Sequence, residues 1–130
     1  MKGVDERTNK LSYEIIGAAI EVHKQLGPGL LESAYETCMA QEIKLRGMTF
    51  ERQKPLPLSY KGTKLDCGYR LDFLVEGLVV VELKAVKKFE PVHKAQMLTY
   101  LKLTNCKLGL LLNFHTVLIK MGIKRVVLNL

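Results

Sequence analysis

The strongest constraint on the fold comes from residues 70–86, which read RLDFLVEGLVVVELKAV. Two runs rich in valine, leucine and phenylalanine flank a Glu-Gly pair, a pattern that predicts two antiparallel strands buried in a sheet. Three charged side chains nevertheless interrupt these runs, namely Asp72, Glu82 and Lys84. Because burying an unpaired charge is costly, these three residues need an explanation beyond packing.

The remaining pattern predicts a mixed α/β fold, with helices at residues 11–26, 30–46 and 91–104. The central order is α-α-β-β-β-α-β-β, a mixed β-sheet flanked by helices. The third helix is expected to connect two parallel strands at residues 78–85 and 107–114. The 130 residues suit a single domain, 1–130, with residues 1–10 expected to be a poorly ordered tail. Further strands are predicted at residues 49–53, 56–60, 63–67, 69–74 and 123–130.

Composition favours a polyanionic partner. The chain has 20 Lys and Arg against 13 Asp and Glu, a formal charge of +7, which favours nucleic acid. The cysteines Cys38, Cys67 and Cys106 are odd in number and lack C-x-x-C spacing, so a reducing cytoplasm is expected rather than a disulfide framework. Neither a signal-peptide pattern nor an apolar run of about 20 residues is found, so no membrane association is expected.

The alternation of side chains along a strand places Glu82 and Lys84 on the same face. A two-residue loop before them would put Asp72 on the opposite face. A three-residue loop at residues 75–77, with glycine at positive φ in its third position, would instead put Asp72 opposite Val80. Asp72 would then lie diagonal to Glu82 on one face, and we therefore predict this loop or an equivalent bulge.

Two partly buried carboxylates this close together repel each other and lose solvation, which a divalent cation would offset. Hard oxygen ligands suit Mg²⁺ or Mn²⁺. Lys84 could then orient an attacking water or stabilise a phosphate in the transition state. The alternative is a structural salt bridge of Lys84 with Asp72 or Glu82, and the spacing alone favours neither interpretation.

A resemblance to a known family extends these inferences. Asp72 followed by Glu82-Leu83-Lys84 resembles the D…E-x-K signature of the PD-(D/E)XK nuclease superfamily. The segment GLLESAY, residues 29–35, resembles the G-x-x-E-x-x-Y motif that names a small bacterial family placed in that superfamily. The similarity covers residues 11–128 and implies a restriction-endonuclease-like fold. It includes the segments IGAAIEVHKQLGPGLLESAYE, PLPLSYKG, YRLDFLVEG, VELKAV, GLLLNF and IKRVVL.

The resemblance also implies roles for individual residues. Its implied catalytic set is Asp72, Glu82, Lys84 and Gln96. The implied metal ligands are Asp72, Glu82, the backbone carbonyl of Leu83, Glu32 and His23. The carboxylates of Glu32, Asp72 and Glu82 should then converge on one point, even without a bound metal. For His23, a packing role at the edge of the first helix is the preferred alternative.

Gln96 and Tyr100 resemble the Q-x-x-x-Y element of RecB-like branches and share a helix face at i and i+4. The expected nucleic-acid contacts are Lys87, Lys88, Lys94, Tyr100 and Arg70, for which a solvated charged surface is the alternative. The implied function is a Mg²⁺- or Mn²⁺-dependent nuclease, with DNA favoured over RNA and with a homodimer as a plausible assembly. The alternative is a non-catalytic nucleic-acid-binding or protein-interaction module that keeps the fold.

Overall fold

The computed structural model describes residues 4–128. Its helices are α1 (Glu6–Leu26), α2 (Glu32–Leu45) and α3 (Pro91–Thr104), and a short 3-10 helix spans Ile119–Gly122. Among the described residues, no helix is both long and apolar enough to cross a membrane. The strands are β1 (Phe50–Pro55), β2 (Leu58–Tyr60), β3 (Thr63–Leu65), β4 (Arg70–Val75), β5 (Val79–Lys84), β6 (Leu108–Asn113) and β7 (Ile123–Val127).

Five strands form one mixed sheet in the order β1-β4-β5-β6-β7, and β2 and β3 form a separate two-stranded hairpin. β5 and β6 run parallel, with α3 as the crossover between them, and the other neighbouring pairs are antiparallel. The predicted mixed α/β fold and its parallel crossover are confirmed. The strands predicted at residues 56–60 and 63–67 form the β2–β3 hairpin outside the main sheet, so five strands rather than three precede α3.

The hydrophobic core lies in two layers, one on each side of the sheet. On one side, Val79, Val81 and Leu83 of β5 pack in a cluster with residues of α1 and α2. On the other side, Val80 packs in a cluster that includes Met97 of α3. The even-numbered side chains of β5 therefore face α3, as the alternation predicts, and Glu82 and Lys84 belong to that face.

The N-terminal boundary differs from the prediction. α1 begins at Glu6, because Asp5 caps the helix and its Oδ1 accepts the Thr8 N–H at 2.7 Å. Residues 6–10, where a poorly ordered tail was expected, therefore belong to the helix, and the short polar run conceals an N-cap signal. Residues 1–3, and residues 129–130 of the last predicted strand, lie outside the described part of the chain.

The loop between α1 and α2 is held by Tyr35, which is fully buried. Its hydroxyl donates to the Gly27 carbonyl at 2.6 Å and accepts the Leu30 N–H at 3.1 Å. The ring stacks on Phe114, with centroids 4.5 Å apart. Tyr35 thereby fixes the point at which α2 begins, and Glu32 is the first residue of that helix. The G-x-x-E-x-x-Y spacing thus places Glu32 at the start of the same helix that Tyr35 holds in position.

Replacing Tyr35 by phenylalanine is expected to lower the free energy of unfolding by about 1–2 kcal/mol, because the loop loses both hydrogen bonds to the hydroxyl. Chemical denaturation measures this loss. Tyr13→Phe is the matched control, since Tyr13 is 63% exposed and its change should stay within about 0.5 kcal/mol. Equal stabilities for the two variants would contradict the bracing role of Tyr35.

Candidate functional site

The hairpin between β4 and β5 determines where the carboxylates meet. Glu76 and Gly77 both have positive φ, 54° and 66°, and the Leu78 N–H donates to the Val75 carbonyl at 2.9 Å. Leu78 is then left out of the ladder, and Val75 pairs with Val79. Three residues are unpaired, as predicted, but they are residues 76–78 rather than 75–77.

This shift corrects the predicted register. The pairing of Phe73 with Val81 brings Asp72 directly opposite Glu82, and not diagonal to it across Val80. The physical reason is that the extra residue follows the Glu-Gly turn as a bulge instead of forming part of the turn. The prediction that both carboxylates share one face is confirmed by this register, because directly opposed residues of an antiparallel pair point the same way.

The two carboxylates replace backbone hydrogen bonds at this point of the sheet. Oε2 of Glu82 accepts the Asp72 N–H at 2.7 Å, and Oδ2 of Asp72 accepts the Leu83 N–H at 2.8 Å. The β4–β5 ladder ends at the preceding pair, Phe73 and Val81. Each carboxylate is therefore held against the opposite strand by a main-chain donor, and the two acids are fixed close to each other.

On its other side, Asp72 faces Gln53 of β1. The β1–β4 ladder passes from the pair Arg52–Phe73 to the pair Lys54–Leu71 and skips Gln53 and Asp72. Gln53 has a left-handed backbone, with φ of 54°, which a non-glycine residue adopts at a cost. Its Nε2 donates to Oε1 of Glu36 at 2.7 Å and to Oδ1 of Asp72 at 3.3 Å.

Glu36 and Gln53 are site residues that sequence reasoning missed. Glu36 lies one helical turn after Glu32, so the i, i+4 spacing on α2 was the available signal. Arg52 holds Glu36 through an ion pair, with Nε 2.7 Å from Oε2. No sequence pattern indicated Gln53, because its position depends on the register of β1 against β4.

Burial and repulsion from neighbouring acids raise the pKa of both carboxyl groups. Glu82 is buried, and its pKa is raised to about 8, first by burial and then by the Asp72 carboxylate. The Asp72 N–H and the Lys84 ammonium lower the Glu82 pKa, and the charge of Glu32 raises it. The pKa of Asp72 is raised by burial, against the lowering effect of the Leu83 N–H. The charge of Glu36 raises the Asp72 pKa further. The pair therefore resists carrying two full negative charges at neutral pH.

Lys84 ends β5 beside these acids. It is half-buried, and its charge lowers the pKa of both Asp72 and Glu82. Its carbonyl accepts the Phe114 N–H at 2.9 Å. The buried Asn113 amide bonds both backbone groups of Val86, at 3.1 and 2.8 Å. The main chain around Lys84 is thus fastened to the end of β6.

Glu32 approaches the same strand end but does not join the pair. Its Oε2 accepts the Ala85 N–H at 3.3 Å, and its charge raises the pKa of Asp72 and Glu82. Within residues 4–128, no three His, Cys, Asp or Glu side chains lie close enough together to form a metal-binding group. The predicted convergence of Glu32, Asp72 and Glu82 is thus not found among these residues, since the Ala85 N–H engages the Glu32 carboxylate, and the ligand role of Glu32 stays a prediction.

His23 is buried on α1. Its Nε2 lies 2.8 Å from the Thr116 carbonyl, which can only accept, so this nitrogen carries a proton. The ring also lies near Phe114, with centroids 6.2 Å apart. These contacts agree with the packing alternative, and the metal-ligand role of His23 stays a prediction.

Gln96 and Tyr100 of α3 line one cleft of about 300 Å³ on the Glu82 face of the sheet. Tyr100 is buried, and its pKa is raised to about 12, first by burial and then by the nearby Glu82, Tyr69 and Asp72. Its hydroxyl therefore stays protonated and can donate a hydrogen bond beside the acids. The expectation that both residues share one face is consistent with this geometry.

The basic residues that are predicted to contact nucleic acid lie on exposed segments on either side of the acids. Lys87 and Lys88 follow β5, Lys94 is in the first turn of α3, and all three are exposed. Arg70 is exposed at the start of β4, two residues before Asp72.

The stability of the metal-free protein should fall as pH rises, because folded Glu82 keeps its proton up to about pH 8 while the unfolded chain loses it near 4.5. Between these values the folded state binds more protons, so this stabilisation is complete below pH 4.5 and is lost as pH rises through 8. Glu82→Gln should remove this pH-dependent contribution to the free energy of unfolding. Urea unfolding at a series of pH values should show the variant gaining stability over wild type as pH increases.

The control for this titration is Glu14→Gln, since the Glu14 side chain is 61% exposed. Its stability difference from wild type should not change over the same pH range. If the stability difference between Glu82→Gln and wild type also does not change with pH, the raised pKa of Glu82 is contradicted.

Comparison with known proteins agrees with this geometry. A family model described as the PD-(D/E)XK nuclease superfamily matches residues 9–126, which include all the residues of the acidic pair and its surroundings. Comparisons with curated proteins and with solved structures gave no match. The narrower G-x-x-E-x-x-Y family and RecB-like branch stay predictions from the sequence.

Proposed function

The chain belongs to the PD-(D/E)XK nuclease superfamily, and from this premise we propose that it is a divalent-metal-dependent nuclease that hydrolyses phosphodiester bonds in DNA or RNA. The observation that carries the proposal is the pair Asp72 and Glu82. These two acids face each other on one side of the sheet, held by main-chain donors, and burial and repulsion raise the pKa of both.

The residues present fit Mg²⁺ or Mn²⁺ in the chemistry of their donors. Asp72 and Glu82 offer hard carboxylate oxygens, and we add the Leu83 carbonyl between Glu82 and Lys84. When bound, the cation supplies positive charge that offsets the two acids and stabilises negative charge on a phosphate. Glu32 is the proposed additional acid, and it would have to release the Ala85 N–H to reach the pair.

Each remaining side chain has a proposed task. Lys84, on the face of Glu82, stabilises negative charge on the phosphate or orients the attacking water. Gln96 and the protonated hydroxyl of Tyr100 position the substrate from α3, since both line the cleft beside the acids. Catalysis then depends on charges that the fold holds in place before the substrate arrives. Such preorganised charges stabilise the charge that develops in the transition state.

One observation favours the alternative of a nucleic-acid-binding module without catalysis. In the described residues, the third acid, Glu32, engages a backbone donor instead of completing a three-carboxylate group. The alternative requires nucleic-acid binding with no metal-dependent cleavage. Titrating Mg²⁺ and Mn²⁺ against cleavage of single-stranded and duplex DNA and RNA distinguishes the two functions.

We propose DNA as the favoured substrate and the cytoplasm as the location. The net charge of +7 suits a polyanion, and the free cysteines Cys38, Cys67 and Cys106 suit a reducing compartment. Lys87, Lys88, Lys94 and Arg70 would contact the phosphates. A homodimer stays a prediction from the sequence.

Lys84→Ala is expected to lower kcat by at least about 100-fold, because the lost charge acts in the transition state, with a smaller change in KM. Steady-state cleavage and thermal unfolding should be measured on the same preparation. Lys107→Ala is the matched control, since Lys107 is exposed and precedes β6 at the opposite end of the sheet.

If Lys84 serves only as an ion-pair partner, its removal leaves the carboxylates uncompensated. The free energy of unfolding should then fall by about 3–5 kcal/mol. Strong destabilisation, or cleavage at the wild-type rate, would contradict the catalytic role of Lys84.

Salt dependence tests the basic contacts. The affinity for nucleic acid should decrease with salt, and Lys87→Ala with Lys88→Ala should reduce the slope of log K against log salt by about 0.7–0.9 for each phosphate that the protein no longer neutralises. The control combines Lys10→Ala and Lys44→Ala, exposed lysines on α1 and α2, which removes the same charge. Equal slopes for the two double variants would exclude Lys87 and Lys88 as phosphate-binding residues.

A further inference from the structure

We propose that the cleft between α3 and the β2–β3 hairpin binds an unstacked nucleobase, so that the substrate enters as single-stranded nucleic acid. The inference rests on the proposed nuclease function and adds the strand state of its substrate. The hairpin and its flanking residues, 56–70, form an arm. Nothing in the family match specifies a role for this arm.

The arm leaves the sheet beside the acids. It is anchored at its base, where the Leu56 N–H donates to the Tyr69 carbonyl at 2.9 Å and the Leu56 side chain is buried. It returns to the sheet at Arg70, two residues before Asp72. All three residues of β3 are exposed. The arm is therefore an extension beyond the core, tied at one end to the candidate site.

The cleft has one wall on the arm and one on α3. Leu58 and Tyr69 form the first wall, and Gln96, Thr99 and Tyr100 are among the residues of the second. The Tyr69 and Tyr100 rings meet edge to face, with centroids 6.3 Å apart. Tyr100 is also near the acidic pair, because the charges of Glu82 and Asp72 raise its pKa.

Basic residues lie on the segments that flank both walls of the cleft. The arm carries Lys61, Lys64 and Arg70 against one acid, Asp66. Residues 84–94 on the other side carry four lysines against one glutamate. A groove with positive edges and aromatic side chains on which bases stack is the general design of single-strand binding.

The tip of the arm adds a further stacking surface. Tyr60 is 63% exposed, and the Lys61 Nζ lies 5.5 Å from the centre of its ring. An exposed tyrosine beside a lysine can stack on a base while the ammonium contacts a phosphate. Tyr60 and Tyr69 would therefore each stack on a base of one strand that follows the arm.

The size and lining of the cleft favour a single strand over a duplex. A volume of about 300 Å³ lies at the lower end of small-molecule sites, which suits a single base. In a duplex the bases are stacked inside and expose only their edges, so the tyrosine faces would have no stacking partner. An unstacked strand can instead insert a base and bring its adjoining phosphate to Asp72 and Glu82.

The test is the affinity of the full chain, in EDTA to prevent cleavage, for a fluorescein-labelled oligothymidylate and for a hairpin duplex of equal length. Tyr60→Ala and Tyr69→Ala should each weaken binding of the single strand by about tenfold, with little effect on the duplex. Tyr13→Ala is the matched control, because Tyr13 is also 63% exposed but lies on α1. Tyr69→Phe keeps the ring and should retain the wild-type affinity.

The outcomes separate this inference from the proposed function. Unchanged single-strand affinity in both alanine variants, or an equal loss on the duplex, overturns the cleft assignment, whether or not wild type cleaves with Mg²⁺ or Mn²⁺. A loss in Tyr69→Phe equal to that in Tyr69→Ala also overturns base stacking. Tyrosine-dependent single-strand binding without cleavage of any nucleic acid supports the cleft and contradicts the nuclease.

Discussion

The exchange of hydrogen bonds between Asp72 and β5 is the interaction on which the rest of the site depends. Two main-chain donors that would otherwise serve the sheet, the N–H groups of Asp72 and Leu83, are bound by carboxylates instead. This arrangement ends the β4–β5 ladder and fixes two acids face to face where most neighbours are apolar. The raised pKa of both acids is the electrostatic consequence, and a bound cation would offset it.

Helix α2 supports this pair from the side of the sheet opposite to α3. Tyr35 sets the start of α2, and that helix carries Glu32 to the end of β5 and Glu36 to Gln53. A left-handed backbone at a residue such as Gln53 costs on the order of 1–3 kcal/mol and persists where its surroundings enforce it. Here the enforcing contacts are its bonds to Glu36 and Asp72, so the strain lies beside the candidate chemistry.

Much of the fold follows from local pattern. Period-two alternation and continuous apolar runs identify the sheet, and proline at the first position of α3 together with the length of that helix identifies the parallel crossover. The shared face of Glu82 and Lys84 needs only the geometry of one strand. Local pattern was less reliable at element ends, since the cap at Asp5 and the bulge at Leu78 depend on individual hydrogen bonds.

The sequence by itself determined the α/β class and, through a resemblance over residues 11–128, the superfamily, and the spacing within one short segment singled out Asp72, Glu82 and Lys84 as candidates. Only the tertiary structure decided that Asp72 stands directly opposite Glu82 and that Glu32 engages the Ala85 N–H. It alone brought Gln53 to Asp72 and Tyr69 to Tyr100. Such contacts join segments far apart in the chain, and their geometry depends on strand register and helix packing, which no local periodicity specifies.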